Sequence, residues 1–440
     1  MTSSHNLDRL AISFDSPSLV AQAGLLLPGT LAQRLGLRQL IDEHVNLGDA
    51  AGAANSGRKA VTVVASLLAG GDCIDDTDVL RKGGAEAVLG EAVAAPSTIG
   101  TFLRSFTSGH ARQLDAVLDG LMQRAWDAGA APGSTQMTVD LDSSVLETYG
   151  FQKQGGSGFT YTHVRGYHPL FAVLVDGGEV LHCRLREGRA NSGRGAGSFM
   201  RQALARLRRV GHGGEVVVRA DSGFYSEKVI RACEDHDARF SVSVRLRKSH
   251  HELIDGIPED RWHSIPYWLE GTADVAEIDY KPFGGKRSYR YIVRRVEPTP
   301  GSQLALRGLA YSYFAFITNR DGDLLELEAD HRRHAEVENV IRELKYGFGL
   351  NHMPSGKFGA NAAWLALNAI AYNLGRWLAR MAGQVCSQIK ALRHRMLALP
   401  ARLVRSGRRI RLRFPRGWRW EQEFVRTLAR LRAIPSPATA

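Results

Sequence analysis

The sequence predicts an α/β fold in which a mixed β-sheet carries helices on its faces. Strand-like segments at 136–145, 169–176 and 179–186 come first, and the Asp-Gly-Gly turn at 176–178 is typical of a hairpin. A helical segment, the apolar run EVVVRADSGF, a second helical segment and RFSVSVRL follow. The predicted order of elements is therefore β-β-β-α-β-α-β.

The chain of 440 residues is long enough for more than one domain. Residues 1–130 read as mostly helical, and we expect a DNA-binding domain there. Residues 131–246 and 320–384 form the two parts of the predicted core. Residues 247–319, rich in strand signals, form a β-rich insertion between them, and a basic segment follows at 385–440.

The positive charge of the chain is concentrated near the C-terminus. The segment from Lys390 to Arg432 carries 14 Lys and Arg residues and two Glu residues, so its net charge equals the +12 of the whole chain. Arginine binds phosphate in a bidentate manner and the neighbouring aromatic rings can stack on bases, so DNA is the predicted partner. The arginines expected to contact DNA are Arg408, Arg409, Arg411 and Arg413. A solvated basic tail or an anionic membrane surface is the alternative.

Membrane and secretory classes are disfavoured. The sequence has no uncharged run of about 18 apolar residues, and its first ten residues lack a basic region followed by an apolar stretch. We therefore expect a cytoplasmic protein without a membrane partner. The cysteines are scattered without a C-x-x-C motif, which predicts reduced thiols and neither disulfides nor structural zinc.

Two aspartates lie late in predicted strands. Asp142 belongs to the first strand, and Asp221 ends the buried VVV strand. If these strands are adjacent, both carboxylates emerge at one edge of the sheet. Asp140 shares a face with Asp142, so the two-residue period does not choose between them. The D-x-D pattern also occurs in metal-dependent glycosyltransferases.

The stretch HRRHAEVENVIRELKYGFGL predicts one helix over 331–350, because apolar residues recur near the 3.6-residue period and no Pro or Gly intervenes before Gly347. At about 100° per residue, one face of this helix gathers an acid among cationic side chains. That face holds His331, His334, Glu338, Arg342 and Lys345. A solvated face with helix-spaced ion pairs is the alternative.

Three carboxylates that converge repel one another unless cations neutralise them. Two Mg²⁺ ions held about 3.5–4 Å apart by carboxylates are suited to phosphodiester displacement. We therefore predict Asp142, Asp221 and Glu338 as catalytic residues and metal ligands, with two Mg²⁺ ions, or Mn²⁺, as cofactor. The residues predicted to face DNA phosphate are His331, His334, Arg342 and Lys345. A zinc site is less consistent, since H-x-x-H-x-x-x-E lacks the H-E-x-x-H spacing.

Taken together, the motifs TVDLDSS, VVVRADSGFYS, ELKYGFGLNHMPS and NAIAYNLGR resemble DDE transposases of bacterial insertion sequences, most closely the insertion sequence 1380 family. The resemblance runs from about Pro96 to Trp420. The order β-β-β-α-β-α-β also matches ribonuclease H-like nucleases and transferases. The resemblance implies a ribonuclease H-like core, a β-rich insertion before the last acid, Mg²⁺ as cofactor, and cut-and-paste movement of DNA bounded by inverted repeats.

The resemblance carries over residue by residue. The first Asp of the family falls on Asp142, the second on Asp221 and the Glu on Glu338. The related signature Tyr-x2-Arg-x3-Glu-x6-Lys falls on His331, His334, Glu338 and Lys345. Histidines therefore replace the Tyr and Arg of that signature, which is a departure from it.

The function expected from the sequence is a DNA transposase that cuts the ends of an insertion sequence and joins them to target DNA. Its expected partners are terminal inverted repeats and target DNA, and we expect it to act as a homodimer at the nucleoid. One alternative is a catalytically inactive DNA-binding protein derived from a transposase. The other is a metal-dependent glycosyltransferase that uses D-x-D.

Overall fold

A computed structural model describes residues 7–268, 272–298, 311–384, 388–407 and 409–437. Arg408, one of the arginines predicted to contact DNA, and Cys386, one of the four cysteines, lie outside these residues. The described strands are β1 (Leu19–Val20), β2 (Met137–Ser143), β3 (Leu146–Glu147), β4 (Gly166–Tyr167), β5 (Leu170–Leu174), β6 (Glu179–Arg184), β7 (Val216–Ala220), β8 (Arg239–Ser243), β9 (His263–Ser264), β10 (Ala273–Tyr280), β11 (Tyr289–Val296), β12 (Ser312–Thr318), β13 (Ala401–Ser406) and β14 (Arg409–Arg413).

Helices cover the N-terminal region, connect the central strands and follow the insertion. They are α1 (Leu26–Arg34), α2 (Leu37–His44), α3 (Ser56–Ala69), α4 (Thr77–Lys82), α5 (Glu86–Leu89), α6 (Pro96–Arg104), α7 (Ser108–Ala125), α8 (Ala196–Arg209), α9 (Glu227–Glu234), α10 (Lys248–Asp255), α11 (Leu324–Arg332), α12 (Glu336–Gly347), α13 (Phe358–Met381), α14 (Ile389–Leu392) and α15 (Glu421–Ala433).

A nine-stranded mixed sheet with the order β6-β5-β2-β7-β8-β12-β11-β10-β9 lies at the centre. Strands β6, β5 and β2 pair antiparallel, whereas β2, β7 and β8 pair parallel. Helices α8 and α9 form the crossovers into β7 and β8. The predicted order β-β-β-α-β-α-β is therefore confirmed, as is the hairpin between β5 and β6.

The strands of the insertion extend this central sheet. Strand β12 pairs antiparallel with β8, and β11, β10 and β9 follow in turn toward the edge. The strand signals of residues 247–319 are thus matched by strands, among them β11 in the segment YRYIVRRV and β12 in the segment YSYFAFITN. Helix α10 precedes them. The strands of the predicted insertion therefore belong to the same hydrogen-bonded sheet as the central strands.

The prediction of one continuous helix that begins at residue 331 is wrong. Helix α11 ends at Arg332, a 3-10 turn covers Arg333–Ala335, and α12 starts at Glu336. The guanidinium of Arg219 donates to the backbone oxygens of Asp330 (2.7 Å) and Arg333 (3.4 Å). These bonds from a side chain of β7 lie at the junction of α11 and α12, where the chain forms the 3-10 turn.

One hydrophobic core joins the N-terminal helices, the sheet and the C-terminal region. It contains buried side chains from Val20 to Leu431, and α13 packs against α3, α7 and β6. The apolar face of α13 explains this position, since Trp364, Leu367 and Leu374 are buried. The basic C-terminal segment is not a free tail in its described part, because β13 pairs with β14 and with β1.

Two further expectations concern cysteines and membranes. Cys73, Cys183 and Cys233 are free thiols. Burial raises the pKa of Cys233, which suits an unreactive core thiol.

In the described part of the chain, no helix is long and apolar enough to cross a membrane.

Candidate active site

Asp142 and Asp221 lie side by side at one edge of the central sheet. Strands β2 and β7 are parallel neighbours, and their register pairs Leu141 with Ala220. Asp142 follows Leu141 in the chain, and Asp221 follows Ala220. Asp142 Oδ1 accepts a hydrogen bond from Ser143 N (2.6 Å), and Asp221 Oδ1 accepts one from Gly223 N (2.9 Å).

Glu338 reaches the same edge from α12, which packs against β2. Burial raises the pKa of Asp142 to about 6, and the charges of Asp221 and Glu338 add to the increase. Burial also raises the pKa of Asp221. The three acids are thus close enough for electrostatic repulsion, which a divalent cation would relieve. Oxygen donors of this kind are those that Mg²⁺ and Mn²⁺ prefer.

Asp140, the other acid of D-x-D, has a different environment. It is fully buried, and Arg219 donates to it from Nε (2.7 Å to Oδ1) and Nη2 (3.0 Å to Oδ2). The two residues are direct partners in the β2–β7 register. A bidentate arginine binds both oxygens of a carboxylate and neutralises its charge. Asp140 is therefore occupied by an internal ion pair, whereas Asp142 faces the other two acids.

Arg219 also connects the sheet to the segment that carries Glu338. Besides its bonds to the backbone of that segment, its Nη1 lies 3.3 Å from Asp330 Oδ1. Asp330 in turn pairs with Arg320 and Arg333. Burial disfavours a charged Asp330, but these arginines outweigh burial and lower its pKa. This network lies at the segment just before α12, the helix that carries Glu338.

The histidines occupy two different positions. His334 Nδ1 lies 3.4 Å from Asp140 Oδ1. Burial disfavours its cation, but Asp140 and Asp142 outweigh burial and raise the pKa of His334. The ring of His331 stacks on Phe316 with centroids 4.1 Å apart. Burial lowers the pKa of His331 to about 3, so this imidazole is neutral at physiological pH; its predicted DNA contact stays a prediction.

The cations of α12 remain on the Glu338 side of the helix. Arg342 is exposed and donates to Asn339 Oδ1 (2.8 Å). Burial lowers the pKa of Lys345, and the charge of Asp142 opposes that shift. Lys345 is therefore near the Asp142 carboxylate, while Arg342 lies outward along the same face.

Among the described residues, the donor atoms of Asp72, Cys73 and Asp76 all lie within 4.8 Å of one another. The carboxylate oxygens of Asp142, Asp221 and Glu338 do not meet this distance. In the first of these groups, the carboxylate of Asp76 already accepts the backbone N–H groups of Asp72 (2.8 Å) and Cys73 (3.1 Å). The closeness of Asp72, Cys73 and Asp76 is therefore explained by a hydrogen-bonded turn before α4.

The sequence patterns do not identify Arg219 and Asp330 as parts of the site. One signal was available for Arg219, because an arginine inside an apolar strand needs a buried carboxylate partner, and Asp140 is on the neighbouring strand. Asp330 offers no local signal, since it lies 111 residues from Arg219 in the chain.

Comparison with known proteins identifies the family. Residues 3–436 match the family described as Transposase DDE domain group 1. Among solved structures, the fold is similar to the piggyBac transposase in a synaptic complex with hairpin DNA, studied by cryo-electron microscopy, with a TM-score of 0.45 and 11% sequence identity over 85% of this chain and 79% of that chain. No curated protein matches the sequence. Because the family match spans nearly its whole length, the chain belongs to the Transposase DDE domain group 1 family.

Proposed function

We propose that this transposase cleaves DNA at the ends of a mobile element and joins those ends to target DNA. The observation that carries the proposal is the position of Asp142 and Asp221 after the paired residues Leu141 and Ala220 of β2 and β7, with the helix of Glu338 packed against β2. Three converging carboxylates with cations beside them suit phosphodiester chemistry better than binding alone.

The finer assignment is an element of the insertion sequence 1380 family with a ribonuclease H-like core. The strand order β6-β5-β2-β7-β8 supports the core assignment, because three antiparallel strands are followed by two parallel strands connected through helices. The motifs TVDLDSS and VVVRADSGFYS support the family assignment. An element has two ends, so we propose a homodimer that acts at the nucleoid in the cytoplasm.

In this proposal Asp142, Asp221 and Glu338 hold two divalent cations, Mg²⁺ or Mn²⁺. When bound, such cations activate a hydroxyl nucleophile and stabilise the leaving oxygen of a phosphodiester. Lys345 and Arg342 attract the phosphate of the DNA end from the neighbouring face of α12. The ion pair between Arg219 and Asp140 keeps the arrangement in place without taking part in the chemistry.

The two alternatives fit less well. A D-x-D glycosyltransferase uses both acids of its motif, but Arg219 already neutralises Asp140 through two hydrogen bonds. An inactive DNA-binding descendant has no need for the acids Asp142, Asp221 and Glu338, which this chain retains.

The test uses a plasmid that carries the inverted repeats read from the DNA flanking the gene. The purified protein is incubated with this plasmid and Mg²⁺ or Mn²⁺, and the products are resolved by gel electrophoresis and sequenced at their ends. Cuts at the repeat termini support the proposal. Binding of the repeats without any cut in either metal contradicts it and favours the inactive DNA-binding protein.

The hairpin β13–β14 supports a DNA-contacting role for the C-terminal segment. Its register aligns Arg402 with Arg413 and Val404 with Arg411, so alternate residues of β14 share one face with Arg402. The arginines of that face, Arg402, Arg409, Arg411 and Arg413, are exposed. No ion pair with an acid of the described chain involves them. We call this the arginine face, and its unneutralised charge suits a polyanion.

Replacing Arg409, Arg411 and Arg413 together with Gln is expected to make DNA affinity less dependent on salt. The slope of log affinity against log salt concentration should fall in magnitude by about 2 to 3, because each neutralised phosphate contributes about 0.9. The measurement is the affinity for a labelled duplex at several salt concentrations.

A matched variant replaces Arg9, Arg201 and Lys286 with Gln, since these residues are exposed and the change in net charge is the same. This control should leave the slope nearly unchanged. Equal slopes for the two triple variants would assign the arginine face to another partner.

A further inference from the structure

A loop beside the candidate active site displays a group of aromatic side chains that the proposed chemistry does not use. Residues 148–165, here called the aromatic loop, connect β3 with β4. These two strands pair antiparallel, with Leu146 opposite Tyr167 and Glu147 opposite Gly166. The loop therefore leaves the body of the protein just after the strand that carries Asp142.

Four large aromatic residues of this loop are exposed to solvent. The exposed fractions are 83% for Tyr149, 73% for Phe151, 59% for Phe159 and 65% for Tyr161. The guanidinium carbon of Arg165 lies 3.8 Å from the ring centroid of Phe151 and 5.0 Å from that of Phe159. Single exposed aromatic residues are ordinary, but a group in one loop marks a binding surface.

The loop is held in shape by hydrogen bonds. Gln154 N donates to Gly356 O (2.9 Å), and the Tyr167 hydroxyl donates to Gln154 O (2.8 Å). Within the loop, the Thr148 hydroxyl donates to Gly156 O (2.6 Å). The exposed rings are thus presented by an ordered backbone, which lowers the entropy lost when a ligand binds.

Tyr161 places this aromatic group next to the acids. Its ring centroid lies 5.1 Å from that of His168, and His168 Nε2 lies 2.9 Å from the Ser143 hydroxyl, which follows Asp142 in the chain. Tyr161 also lines a cavity of about 450 Å³ together with Ser222 and Gly223, the residues after Asp221. One end of the aromatic loop is therefore part of the wall of the candidate active site.

The charge around the loop suits a polyanion. The sequence has no Asp or Glu from residue 148 to residue 175, while Lys153 and Arg165 lie within the loop. Arg245 and Arg247 line the same cavity as Tyr161, and both are exposed. Aromatic rings interleaved with cations are the combination that binds single-stranded nucleic acid, through base stacking and phosphate contact.

We propose that the aromatic loop is a binding surface for unpaired bases of the DNA strand next to the active site. Phe159 and Tyr161 stack on the bases, and Arg165 and the cavity arginines contact the adjoining phosphates. This inference rests on the proposed function for its biological substrate. Its physical content, stacking on unpaired bases, is measurable without any cleavage.

The test compares two labelled single strands of equal length, one of thymidines and one of abasic sites, which have the same phosphates but no bases. Tyr161→Ala and Phe159→Ala should each weaken binding of the thymidine strand by about 10-fold, because stacking contributes about 1–3 kcal/mol per base. Binding of the abasic strand should change little. Phe159→Tyr should retain the binding of the natural protein, since it keeps the ring face.

Phe14→Ala is the matched control, because Phe14 is fully exposed on the N-terminal segment outside the loop. Equal losses on both strands, or no loss on the thymidine strand, would overturn the inference. The inference would also be overturned if Tyr161→Ala or Phe159→Ala changed the oligomeric state measured by light scattering but left binding of the thymidine strand unchanged. That result would assign the loop to contacts between copies of the chain. Failure of the proposed function is a separate result, namely no cut at the inverted repeats in Mg²⁺ or in Mn²⁺.

Discussion

Alanine at Asp142, Asp221 or Glu338 is expected to abolish cleavage of the element ends while the protein still binds them. Each change removes a carboxylate that would hold a divalent cation. Cation stabilisation of a phosphodiester transition state contributes several kcal/mol, so the rate should fall on the order of 1000-fold or more. The measurement is the rate of end cleavage in Mg²⁺ and in Mn²⁺, together with the affinity for the same DNA.

Glu336→Ala is the control on the same helix. Glu336 is exposed in the first turn of α12, two residues before Glu338, and so points to a different side. This variant should cleave at nearly the natural rate. If Glu336→Ala were inactive and Glu338→Ala active, the assignment of the third carboxylate would be wrong.

Arg219→Met is expected to lower the free energy of unfolding by about 3–5 kcal/mol, which is the cost of leaving a partner charge buried and unpaired. Asp140 is fully buried, and Arg219 is its bidentate partner. Urea unfolding followed by circular dichroism measures the change. Arg231→Met is the matched control, because the pair of Arg231 with Glu227 is exposed and its loss should cost less than about 1 kcal/mol.

The double variant Asp140→Leu/Arg219→Met separates stability from function. It removes both charges of the Asp140–Arg219 pair, and Asp330 keeps Arg320 and Arg333 as partners, so part of the stability should return. Cleavage should not return, because the bonds from Arg219 to the backbone of Asp330 and Arg333 are still missing. Recovery of both properties in the double variant would show that Arg219 does not position α12.

Much of the central fold was predictable because its signals are local. The run Val216–Val218 is apolar on both faces, which predicts a strand covered on both sides, and the structure confirms it as part of β7. The Asp-Gly-Gly turn at 176–178 predicts a hairpin, since glycine permits the turn backbone, and Gly178 has a positive φ of 58°. The helical stretch through Trp364 and Leu374 follows from its apolar period.

Other features depend on residues that are distant in the chain. The predicted helix through Glu338 contains a 3-10 turn at Arg333–Ala335, although its sequence has a continuous helical period, and Arg219 of β7 binds the backbone oxygens of Asp330 and Arg333 at this turn. The C-terminal hairpin is joined to the N-terminal region because β13 also pairs with β1. Neither contact leaves a periodic signal in the sequence, since each joins segments that are far apart in the chain.

The sequence by itself determined the order of the central strands and helices along the chain, and it indicated the candidate acids Asp142, Asp221 and Glu338. Strand period, turn residues and motif spacing are properties of short segments, so they can be read without the fold. Only the tertiary structure decided which acid of D-x-D is neutralised. Asp140 and Asp142 share a strand face, but the β2–β7 register places Arg219 opposite Asp140 and leaves Asp142 at the edge of the sheet. Register is a relation between two strands, so one strand's pattern does not contain it.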